Sequence, residues 1–123
     1  MKTLTGKEFE VMKVLWDQNE SVSAAKIQEA LPDTSIYSVQ QVLRKLLKEN
    51  WVRIEKTEIL VKSLTRFFAP VVSESEYVRS FISPQSTFEL TSQLIQETED
   101  PQALARIEAL IEAKKKQWQG EDG

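Results

Sequence analysis

The chain has no cysteine and no histidine, and only three glycines among 123 residues. Without cysteine there is no disulfide, no thiolate nucleophile and no sulfur-ligated metal. Without histidine the commonest metal ligand and the usual general base near neutral pH are also missing. So few glycines leave no loop of the kind that cradles a phosphate. Carboxylates remain as the candidates for catalysis: Glu8 and Glu10, or Glu97, Glu99 and Asp100. They stand at expected helix ends or exposed turns, where capping accounts for them. No enzymatic activity, no metal site and no cofactor are expected. No apolar run is long enough to span a bilayer, and MKTLTGKEFE carries no apolar signal region. A cytoplasmic protein without a membrane partner is therefore expected.

What is present describes a folded chain. Hydrophobic residues make up 41% and charged residues 28%, which suits one ordinary core, or two small ones if a partner subunit completes the second. The net charge of −3 conceals an asymmetry, because residues 1–72 carry 11 basic and 9 acidic side chains while residues 73–123 carry 5 and 10. Between Arg44 and Arg66 the local balance is +4. Affinity for a polyanion follows local cation density rather than the total, so the first part of the chain suits nucleic acid and the acidic part must face away from it.

The order of elements is readable from caps and periods. Thr5 and Glu8 form a capping box for a first helix with a buried stripe of Phe9, Met12, Leu15 and Trp16. Ser21–Ser23 is short and extended, and Ser23 caps a second helix from Ala24 to Leu31, which Pro32 and Asp33 end. Thr34 or Ser35 caps a third. There Val39, Val42, Leu43, Leu46 and Leu47 form one apolar stripe, while Tyr37, Ser38, Gln40, Gln41, Arg44, Lys45 and Lys48 occupy the other side. Amides, hydroxyls and cations are the groups that reach base edges and phosphates, and two short helices joined by a tight turn match a helix-turn-helix. WVRIEK and LTRFFAPVV then alternate as strands, predicting a hairpin wing with Pro70 ending an edge strand. The apolar Ile59, Leu60 and Val61 are unexpected in its loop.

A second capping box, Ser73 with Glu76, opens a linker helix through Tyr77 and Phe81. A helix near Ser86–Thr98 and another beginning at Asp100-Pro101 follow. Their apolar positions, Phe81, Phe88, Leu90, Leu94, Ile95, Leu104, Ile107, Leu110 and Ile111, exceed what two short helices can bury on each other. A symmetric partner presenting the same surface is the economical solution, making these residues a candidate dimer interface. The expected fold is mostly α with a small β-hairpin: a winged helix-turn-helix domain, 1–73, followed by a helical dimerisation domain, 74–123.

Four segments, LTGKEFEVMKVLW, SVSAAKIQEAL, TSIYSVQQVLRKLLKENWVRIEK and RFFAPVVSESEY, resemble the penicillinase-repressor family in order and spacing. The resemblance covers Leu4 to Tyr77, and the C-terminal helices by architecture. It implies a homodimeric repressor on a palindromic operator in double-stranded DNA. The family's recognition helix commonly has a second threonine where this chain has Gln41, which can both donate to and accept from adenine. Ser35, Tyr37, Ser38, Gln40, Gln41, Arg44, Lys45, Arg53, Lys56 and Arg66 are the candidate DNA-binding residues, with Gln40 and Gln41 for bases and the cations for phosphates. The family's Asn-Phe cleavage bond has no counterpart near Gln93-Leu94, and its C-terminal cysteine cluster is missing. A membrane sensor-protease and a small-molecule or metal inducer therefore both stay open. So does a winged helix used only for protein–protein contact.

Overall fold

The computed structural model describes residues 1–122, with backbone alone for Glu121 and Asp122. The chain divides into two units, Met1–Phe81 and Ile82–Gly123. The first contains α1 (Gly6–Asp17), β1 (Val22–Ser23), α2 (Ala24–Ala30), α3 (Ile36–Lys48), β2 (Val52–Leu60), β3 (Ser63–Pro70) and α4 (Glu74–Arg79). The second contains α5 (Pro84–Glu97) and α6 (Pro101–Asp122). The fold is mostly helical with a small antiparallel sheet, a winged helix-turn-helix joined to a helical part.

The sheet has three strands in the order β1-β3-β2, one more than the hairpin expected from the sequence. Val22 and Ser23 pair with Phe68 and Phe67, so the short extended segment before α2 is a strand and β3 is central rather than an edge. Pro70 is tolerated because β1 is only two residues long and ends opposite Phe67 and Phe68, leaving the side of Pro70 away from β2 free of a ladder.

The core of the first unit gathers Val11, Met12 and Leu15 of α1, Ile27 of α2 and Val39, Leu43 and Leu46 of α3, closed by Val22, Trp51, Val52 and Phe68. Burial on α1 follows positions 8, 11, 12 and 15, the spacing of one helical face. Phe9 therefore lies outside the buried stripe, 42% exposed, with its ring edge-on to Trp16 at 6.0 Å. Val11 takes the core position, and Trp16 is only partly buried while its indole N–H donates to the Val72 carbonyl at 2.9 Å.

Tyr77 ties α4 to this core. It is buried, its hydroxyl accepts from the Leu4 N–H at 2.9 Å, and its ring meets Trp16, Trp51 and Phe81. Residues 74–81 thus pack with the first unit, although the sequence groups them with the C-terminal helices. In the second unit none of the described side chains of α5 and α6 is buried. Phe88, Leu90, Leu94, Leu110 and Ile111 are exposed, Leu104 is 38% exposed, and Ile95 and Ile107 are half-buried.

The hairpin is longer than its sequence suggests. Ile59 and Leu60 extend β2 and pair with Leu64 and Ser63, leaving only Val61 and Lys62 to make the turn. Val61 sits at φ 60°, a left-handed backbone that a β-branched side chain strongly disfavours. Val61→Asn, which tolerates this region, is expected to stabilise the protein by about 1 kcal/mol, read as a higher denaturation midpoint at unchanged slope.

Candidate nucleic-acid interface

Helix α3 is held at both ends and along its inner side. The Ser35 hydroxyl accepts the Ser38 N–H at 3.1 Å and donates to the Ser38 hydroxyl at 3.1 Å, so both hydroxyls are engaged at the helix start. Lys7 donates to the buried Thr34 hydroxyl at 2.6 Å, pinning the turn from α2. At the far end Asn50 adopts φ 62°. Its N–H donates to the Leu47 carbonyl and that of Trp51 donates to Leu46, the paired bonds of a Schellman motif, with Leu46 and Trp51 supplying its apolar contact.

Anchored in this way, α3 turns Tyr37, Gln40, Gln41, Arg44 and Lys48 outward. Tyr37 is 77% exposed and stacks on no aromatic ring of α1. Tyr37, Gln41, Arg44 and Lys48 follow one another at helical spacing along a single stripe. Gln40 and Arg44 also line a groove of about 560 Å³ whose opposite wall is Leu64, Thr65 and Arg66 of β3, with Ala24 and Ala25 of α2 at its end. The outer face of α3 and the wing are thus two sides of one cleft.

A bulge decides which wing residues face that cleft. Ile54 pairs with Phe68 but Lys56 pairs with Phe67, so Glu55 is an extra residue in β2. Beyond it, Thr57 and Ile59 stand opposite Arg66 and Leu64, on the side of β3 that Phe68 turns to the core. Arg53 and Lys56 pair with Ala69 and Phe67 and point to the other side. There Arg53 lies 3.6 Å from Glu55, and Lys56 lies 3.1 Å from Glu58 and over the Phe67 ring at 4.9 Å.

The predicted cations therefore separate into two groups. Arg53, Lys56 and Lys45 each have a carboxylate partner; the Lys45 ammonium is 3.4 Å from Glu8, on the side of α3 nearest α1. Arg44 and Arg66 have no described carboxylate within salt-bridge distance, nor have Lys48 and Lys62. The structure brings Gln40, Arg44 and Arg66 together with Gln41 and Tyr37 alongside, and leaves Lys45, Arg53 and Lys56 out. Lys48 and Lys62 join Arg44 and Arg66, although neither is among the DNA-binding residues that the sequence implies. For Lys48 the signal was present in its position one turn after Arg44.

Glu8 is the electrostatic centre behind α3. Its carboxylate is 3% exposed and 2.8 Å from the Lys2 ammonium, which also meets Glu49 at 2.9 Å. Burial alone would raise its pKa, but the Lys2 hydrogen bond, the Thr5 N–H and the charges of Lys2 and Lys45 outweigh burial and hold it at about 2. Lys2, in turn, loses some basicity to burial and regains more from Glu8 and Glu49, so its pKa is raised.

The sequence model of the penicillinase repressor family matches residues 4–113 of the chain. Among curated proteins none matches it. Similar solved structures include the ferric uptake regulator Fur of Helicobacter pylori, described with three functional metal binding sites of its own. It is 19% identical with a TM-score of 0.46, over 80% of this chain and 71% of that one. A single-site mutant of Lactococcus lactis ZitR is 17% identical with a TM-score of 0.45, over 94% and 76%. No helix among the described residues is long and apolar enough to cross a membrane.

Proposed function

Because the chain belongs to the penicillinase repressor family, we propose that it is a transcriptional repressor that binds duplex DNA as a homodimer, each copy offering α3 to the major groove and its wing to the adjoining backbone. The observation that carries this reading is the outward face of α3. It holds two amides, a phenol and two cations without acidic partners, facing Arg66 across an open cleft. Amides can read base edges, and guanidinium groups match phosphate or guanine in bidentate fashion. A protein-docking surface would instead be depleted of charged residues at its centre, where this face carries Arg44 and Lys48. A dimer with two-fold symmetry would recognise a palindrome, with half-sites spaced by the separation of the two helices.

The reading assigns different roles to neighbouring side chains. Arg44→Ala should weaken operator and non-specific DNA alike and flatten the slope of log K against log salt by about 1. Gln41→Ala should cost roughly 1–3 kcal/mol on the operator alone. Lys45→Ala should change DNA affinity least of the three, since Glu8 already occupies its charge. Fluorescence anisotropy with operator and scrambled duplexes over a salt series checks all three. Equal losses on both duplexes for Gln41→Ala would remove the base-reading role.

A further inference from the structure

The cleft between α3 and the wing is more apolar than a nucleic-acid backbone requires. Its floor is Leu43 and Phe68, both buried, with half-buried Ile36 and Leu47, and Leu64 lies 62% exposed on the wing side. Only its rim is polar, and there Arg44 and Arg66 come from opposite walls without a described carboxylate partner. Phosphates and sugars can satisfy those guanidinium groups, but they offer nothing to the hydrocarbon beneath. A volume of about 560 Å³ falls in the range of small-molecule clefts, roughly 300–1,000 Å³, in which an apolar lining and a few convergent polar groups fix the ligand.

We propose that this cleft binds a small amphipathic carboxylic acid, its ring or chain laid on Ile36, Leu47, Phe68 and Leu64 and its carboxylate held between Arg44 and Arg66. Two cations facing each other across a half-open cleft attract an anion, and guanidinium groups favour the planar, two-oxygen geometry of a carboxylate. The apolar floor selects against inorganic phosphate and other fully hydrated anions, which would cover it without gaining from it. A bound acid takes the two arginines that the DNA reading assigns to phosphates. Resting on that reading, the acid acts as an inducer that competes with DNA at the interface itself and needs no second site.

The test uses the full chain with 2-naphthoate as the probe and neutral 2-naphthamide as its control. Calorimetry should show saturable binding of one naphthoate per chain, with the amide at least about tenfold weaker. Arg66→Gln, a change at an exposed position, should weaken naphthoate about tenfold. Ala25→Phe, which fills the α2 end of the cleft and touches neither arginine, should abolish binding in a chain whose circular dichroism is unchanged. Absence of saturable binding, equal affinity for the amide, or undiminished binding to a folded Ala25→Phe chain would each overturn the site. In a second arm, naphthoate should displace a labelled duplex. A duplex undisturbed at saturating naphthoate overturns the competition. Naphthoate binding by a chain that binds no duplex would leave the acid site standing and defeat the DNA reading instead.

Discussion

Aspartate at both Leu104 and Ile107 should leave the protein monomeric at micromolar concentration and lower its affinity for a two-half-site operator by roughly 100-fold or more. The second unit has no buried side chain among those described, so α5 and α6 gain little from their apolar residues within one copy. Covering a leucine or isoleucine with a second copy contributes roughly 1.5–3 kcal/mol per side chain. A carboxylate in the same place must be desolvated instead, which reverses the sign of the contribution. Sedimentation velocity separates the outcomes, and a dimer persisting in the double variant would exclude this surface. Affinity for a single half-site should be nearly unchanged, because the first unit keeps its own core.

Glu8→Ala should destabilise the first unit by roughly 2 kcal/mol, through the lost cap and the lost ion pairs. The substitution removes the acceptor for the Thr5 N–H, half of the capping box, and leaves the Lys2 and Lys45 ammonium groups without their shared anion. Glu8→Gln keeps most of the hydrogen bonding and isolates the charge. In the unfolded chain this carboxyl titrates near its ordinary 4.5, and in the folded chain near about 2. The folded state thus favours the ionised form. The stabilisation is complete above roughly pH 5 and is lost as pH falls toward 2. Urea unfolding across that window should show the wild-type chain losing stability on acidification by on the order of 2 kcal/mol more than Glu8→Gln. Parallel profiles would mean that the carboxylate is not the titrating group.

Elements set by local chemistry were legible in the chain itself. The caps at Thr5, Ser23, Ser35 and Ser73 each accept the expected N–H, and the amphipathic period of α3 selected Val39, Leu43 and Leu46 correctly. Features that depend on distant partners were not legible. Two residues of β1 are too few to show a period, so the pairing of Val22 with Phe68 left no trace. A charged residue is not an obvious member of a buried face, so the sequence shows Glu8 as a cap and points to Phe9 for the core. Cations look alike in a sequence. Arg53 and Lys56 became distinguishable from Arg66 only once the strand register was known, and Lys45 from Arg44 only once Glu8 was seen beneath it. The apolar run Ile59–Val61 hid the turn, because its backbone demands a residue type that the position does not hold.

The extra residue at Glu55 also bears on how this wing can change through evolution. Pairing on either side of the bulge is already in step, so deleting a single codon at 55 would leave Lys56 opposite Phe67 and Thr57 opposite Arg66. The wing would lose its local kink and keep the same side chains toward the cleft. A deletion anywhere from 56 to 59 is different, because the strand can absorb it by drawing Glu55 into the ladder opposite Phe67. Residues between 55 and the deletion would then change sides, which would bring Lys56 to the cleft if the lost residue were Thr57. Relatives lacking residue 55 should therefore bind as this chain does, while relatives lacking residue 57 should differ, a contrast that pairwise binding measurements would expose.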